Sequence, residues 1–148
     1  MIVEKKRIQQ HYKKAEKGQS LVELAIGITI LIWLLSGIVD VGRAIFTQFA
    51  LQDAAEEGLV YGIGYPDRCD EIEARVLNNL QNGVLPNSPE ITVLVNSSPC
   101  GTVELAYGLP MEVEVSSTFV MAMPFLAGNS LTLKGTANGT ILRPPPES

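Results

Sequence analysis

A carboxylate, Glu23, stands inside an otherwise apolar stretch: Leu21 and Val22 precede it, and the sixteen residues from Leu24 to Val39 carry no charge. An ionised group at membrane depth is costly and rare unless it is paired, so Glu23 calls for a cation. Cys69 and Cys100 are the only two cysteines, a set that allows one disulfide. The single histidine, His11, precedes the apolar run, so no imidazole base is available after it. Ser97, Ser98, Ser116 and Ser117 sit in plain polar contexts without the glycines of a nucleophile elbow. Paired carboxylates for acid–base work stay open from sequence, yet Glu112 and Glu114 alternate on what reads as a solvent face. The expected chemistry is therefore the pairing of a buried charge and the oxidation of two thiols. No enzyme activity, cofactor, metal or small-molecule substrate is expected.

The apolar stretch must position that acid. As one helix, Leu21 to Val39 spans about 28 Å, close to the hydrocarbon thickness of a bilayer. The net charge of −5 hides an asymmetry. Residues 1–18 hold six basic side chains against Glu4 and Glu16; the rest of the chain holds five basic against fourteen acidic. Basic residues stay on the cytoplasmic side, which predicts the N-terminus inside and everything after Val39 outside. A short basic leader is not the basic face of a folded domain, so nucleic acid is not an expected partner, whereas membrane lipid is. A secretory signal would need small residues at a cleavage site just after the apolar run; Asp40-Val41-Gly42-Arg43-Ala44 offers none.

Beyond the membrane run, Asp40 and Arg43 are three apart and should form an exposed ion pair at the outer boundary, of little energetic worth; the alternative is contact with the next subunit. No proline interrupts Ala44 to Gly62, so the helix should continue outside as a rod of about forty residues, roughly 60 Å. Ala50, Ala54, Gly58 and Gly62 form a stripe of small residues that would let another backbone approach, either the chain's own sheet or the helix of another subunit. Gly62-Ile63-Gly64-Tyr65-Pro66 should end the helix, and its G-x-G has no preceding strand to make it a nucleotide fingerprint. Asp70 and Glu73 read as a capping box opening a second helix over about 70–82, with Ile72, Val76 and Leu80 on one face and a stop near Asn82-Gly83.

The period then changes to two. Ile91–Val95, Met111–Val115 and Leu131–Leu142 read as three strands of an antiparallel meander, with a broken segment from Phe119 to Leu126. The expected fold is α+β: a long N-terminal transmembrane helix running into a small ectodomain with a second helix and a roughly three-stranded antiparallel sheet. Its parts are a leader at 1–18, a transmembrane helix at 19–40, an ectodomain at 41–143 (helix extension 41–62, strands about 90–142) and a proline-rich tail at 144–148. Asn96-Ser97-Ser98 and Asn138-Gly139-Thr140 fit the glycosylation acceptor pattern, which matters only in a eukaryotic lumen.

Gly18-Gln19-Ser20-Leu21-Val22-Glu23, behind a basic segment and ahead of an apolar run, resembles the class III signal of type IV pilin-like proteins. With Ile38-Val39-Asp40-Val41-Gly42-Arg43 and the Ala50–Ala55 block, the chain looks like a TadE-like minor pilin, or pseudopilin, of the tight-adherence (Flp-type, type IVc) pilus. The sibling TadF and TadG groups share the N-terminal features. The resemblance implies cleavage by a prepilin peptidase between Gly18 and Gln19, and a role for Glu23, fifth residue of the mature chain, in processing and assembly. It also implies partnership with other pilin subunits and the assembly machinery, residence in the cytoplasmic membrane, and passage into an extracellular pilus. Family function is assembly or initiation of an adhesive pilus; the alternative is an uncleaved, single-pass, membrane-anchored binding module outside the cell.

Both cysteines fall in the segment placed outside, where disulfides persist, so a Cys69–Cys100 bridge is expected. Two free thiols, or half of a metal site, are the alternatives; zinc is disfavoured with His11 across the membrane.

Overall fold

The computed structural model describes residues 2–80, 88–123 and 127–142, with residues 2–17 as helix backbone. One unbroken helix, α1, runs from Ile2 to Gly62 and is followed by α2, Cys69–Leu80. Four strands come next: β1 (Glu90–Val95), β2 (Ser98–Pro99), β3 (Pro110–Val120) and β4 (Ser130–Thr140). They make one antiparallel sheet in the order β2-β1-β3-β4. The architecture is α+β, with one strand more than the meander expected from sequence.

Helix α1 changes character at Asp40. From Gly18 to Leu35 every residue is exposed, including Leu24, Ile28, Leu31 and Leu35. Beyond it, buried or half-buried positions recur at Asp40, Ala44, Thr47, Leu51, Ala54 and Gly58, three or four residues apart, with Ala55 beside them, so one face alone meets the ectodomain. The segment Gly18–Gly62 is the one helix among the described residues long and apolar enough to cross a membrane, and it fits a single-pass membrane protein.

The core lies between that face, α2 and the inner face of the sheet. Leu51, Ala54 and Ala55 of α1 meet Ile72, Val76 and Leu80 of α2, with Val93, Val95, Met111, Val113, Val115 and Ala137 from the strands. Inward residues alternate along β1 and β3, as period two requires. Helix α2 begins one residue earlier than expected: the Arg68 carbonyl accepts from the amides of Glu71 and Ile72, which places Asp70 inside the first turn and not at the cap. The expected stop at Asn82-Gly83, the Pro86 loop, Pro124 to Leu126 and the tail at 144–148 lie outside the described residues.

Two strand features depart from the sequence reading. Asn96 and Ser97 both take positive φ, 49° and 63°, and link β1 to the two-residue β2 as a tight primed turn. Strand β3 continues through Ser116, Ser117 and Thr118 to Val120, so Phe119 belongs to a strand, paired with Leu131. On β4, a Cβ at Gly135 would collide with the backbone of Leu51 and Gln52. Only glycine lets strand and helix come so close.

Candidate functional site

The segment expected from sequence to be processed lies on exposed helix. Gly18 has nothing within 4 Å of where a Cβ would sit, and Gln19 and Glu23 are exposed. Helical geometry places Glu23 about one turn beyond Gln19 on the same side, since residues four apart are neighbours.

At the other end of the apolar run, Asp40 is more than half of an ion pair. Arg43 Nη1 lies 3.3 Å from its Oδ1, yet Asp40 is buried while Arg43 stays half exposed, with its guanidinium 5.3 Å from the Phe119 ring centroid. The exposed pair expected from sequence is therefore corrected for Asp40. Burial has a cause: Asp40 Oδ2 accepts the backbone amides of Ala122, at 2.9 Å, and Met123, at 2.6 Å. These amides lie just past the end of β3, 82 and 83 residues away. A carboxylate with two amides and a guanidinium is compensated for its lost hydration. Beside it lies an apolar groove of about 640 Å³ between α1 and the β3–β4 tip, lined by Leu34, Ile38, Val41, Met121, Met123 and Leu131 among others.

The small-residue stripe faces the chain's own ectodomain. Ala54 is fully buried and Ala50 packs against the core. A Cβ on Gly58 would come within 2.5 Å of Val76 Cγ2, and one on Gly62 within 2.6 Å of Met111 Cε. Phe46 and Phe49, by contrast, point outward.

Where α1 gives way to α2, Cys69 and Cys100 are joined, Cα to Cα 5.9 Å, clamping the start of α2 to the segment after β2. The Tyr61 hydroxyl donates to Glu71, and Arg68 approaches the same carboxylate at 3.2 Å. The hydrogen bond from Tyr61, then the hydrogen bond and charge of Arg68, hold the Glu71 carboxyl below its ordinary value, against some desolvation. On the sheet's outer face, Lys134 Nζ sits 2.6 Å from Glu114, which raises the lysine. Both are surface pairs worth little to stability. Among the described residues no group of three or more metal-ligating side chains gathers.

Sequence reasoning missed the amide-capping role of Asp40. An acid at the end of an apolar run was visible; its backbone partners, far off in the chain, were not.

The family model described as TadE-like protein matches residues 18–59. It begins at Gly18, takes in Glu23, Asp40 and Arg43, and stops before α2 and the sheet. No curated protein and no solved structure matches the chain. The likeness to the TadE-like family is thus confined to residues 18–59, the apolar run and the rod that follows it.

Proposed function

We propose that the chain is a membrane-inserted minor pilin, or pseudopilin, cleaved by a prepilin peptidase after Gly18, that takes part in assembly or initiation of an adhesive tight-adherence pilus. The observation that carries this reading is a TadE-like match that opens at Gly18 and contains Glu23. Cleavage would leave a new α-amino group on Gln19 at the cytoplasmic edge of the membrane. That cation neutralises Glu23 on its own helix or on a neighbour, removing most of the cost of a carboxylate in hydrocarbon. Pairing with a neighbour would fix the axial offset between stacked helices.

Three features support the placement. The exposed, uncharged surface of α1 from Leu24 to Leu35 suits lipid or other helices. Six basic side chains before Gln19 favour a cytoplasmic leader. The Cys69–Cys100 bond favours an oxidising compartment for the ectodomain. Because α1 runs unbroken through Gly18, the peptidase must unwind the helix there; glycine lowers that cost by about 1 kcal/mol relative to alanine. The partners are then the peptidase, other pilin subunits, the assembly machinery and membrane lipid.

The experiment is Glu23→Ala in the full chain. Membrane insertion should persist while incorporation into surface fibres is lost. Normal incorporation of the variant would sink the charge-pairing mechanism.

A further inference from the structure

We infer that the β3–β4 tip, meaning its described residues 119–123 and 129–131, is a second membrane-contacting element, seated among lipid chains and headgroups at the outer boundary of the bilayer. This rests on the membrane reading of α1 given above. The first observation is height. Met123 Cε lies 3.2 Å from where a Cβ on Gly37 would sit, and Gly37 is two residues inside the uncharged run that ends at Val39. At 1.5 Å per residue that is about 3 Å below the end of the run. If α1 spans the bilayer, the tip reaches the edge of the hydrocarbon.

Composition and hydrogen bonding agree with that depth. Val120 and Leu131, on opposite faces of the hairpin, are both exposed, 44% and 47%, and Met121 and Met123 are half exposed. Irregular backbone survives at a water-poor boundary only when its polar groups are paired within the protein. Three successive tip amides are so paired: Met121 donates to the Asn129 carbonyl at 3.1 Å, and Ala122 and Met123 donate to Asp40. Arg43 neutralises Asp40 yet keeps half its side chain exposed, at the height expected of lipid phosphates.

The occupant follows from continuity. Leu34, Ile38, Val41 and Ile45 floor the groove beside the tip and belong to the same surface as the exposed Leu31 and Leu35. Acyl chains that surround the helix run into the groove without crossing a polar border. The tip therefore pins the ectodomain against the bilayer at a second point, limiting its swing about α1, and it must leave lipid when the subunit enters a fibre.

The test uses the full chain in vesicles of phosphatidylcholine and phosphatidylglycerol, with lipids brominated either near the headgroup or at mid-chain. Trp33, the single tryptophan, reports the helix. In a Trp33→Phe background, Leu131→Trp and Val120→Trp report the tip, and Tyr107→Trp, at the opposite end of the sheet and 72% exposed, is the aqueous control. Circular dichroism and an intact disulfide qualify each variant as folded. The expected result is strong mid-chain quenching of Trp33, and headgroup-proximal quenching of both tip variants several-fold above Tyr107→Trp. Tip variants quenched no more than the control, with Trp33 quenched, would overturn the inference and spare the membrane reading; iodide would then tell a tip in water from one covered by a second copy. An unquenched Trp33 would overturn both.

Discussion

Gln52 binds Thr136 as a neighbouring strand would. Its side-chain Nε2 donates to the Thr136 carbonyl at 3.0 Å, and its Oε1 accepts the Thr136 amide at 3.2 Å. One turn earlier, Gln48 donates to the Lys134 carbonyl at 2.6 Å. Strand β4 is a sheet edge, whose unpaired backbone groups would otherwise invite association with another chain. Helix α1 thus closes the edge with side-chain amides, and β4 is held along the rod from Gln48 to Gln52.

That arrangement depends on close approach at Gly135. Gly135→Ala should destabilise the ectodomain by about 1–3 kcal/mol through overpacking against the backbone of Leu51 and Gln52. Denaturant unfolding of the detergent-solubilised chain checks it; an unchanged midpoint would mean that strand and helix are not in contact there.

Asp40→Ala would strand the amides of Ala122 and Met123. Both are part-buried and would lose the carboxylate that accepts from them, so both amides should exchange with solvent much faster while those of Val113 and Val115 hold. Hydrogen exchange read residue by residue decides this. Equal protection in variant and parent would show that Asp40 does not cap the tip.

The disulfide closes a loop of 31 residues in sequence separation. Replacing Cys69 and Cys100 with serine together should lower stability by about 3–4 kcal/mol on the chain-entropy account. Thermal unfolding with and without reductant measures the loss, and a reductant-insensitive parent would contradict a native bridge.

The Glu71 carboxyl is held below its ordinary value in the fold by Tyr61 and Arg68. Its contribution is therefore present above the unfolded carboxyl value and lost as pH falls through the lower folded one. Glu71→Gln should melt below the parent at pH 7, and the difference should close as the medium is taken into the acid range below the unfolded value. A gap that persists unchanged in strong acid would assign the effect to packing.

What could be read beforehand follows a physical line. The two α-helices carried their own patterns: an uncharged run, then a one-sided face, then Ile72, Val76 and Leu80 at helical spacing. Strands β1 and the first half of β3 alternated cleanly. The rest of β3 did not, because Ser117 occupies an inward position where alternation leads one to expect an apolar residue. Strand β2 is two residues long, and its turn uses Asn96-Ser97 where Asn-Gly is the usual signal. The TadE-like likeness was legible because the pattern from Gly18 to Glu23 and the apolar run after it are a matter of local spacing. Asp40 was not, because main-chain amides contributed by a distant hairpin leave no mark in the side-chain pattern.

The proposed function turns on where the working chain begins. Intact mass and N-terminal sequencing of the subunit recovered from purified surface fibres, compared with the same chain from a strain lacking the peptidase, address this directly. The prediction is a chain starting at Gln19 in the fibres and at Met1 without the peptidase. A full-length chain, leader attached, in functional fibres would contradict it and favour an uncleaved anchor.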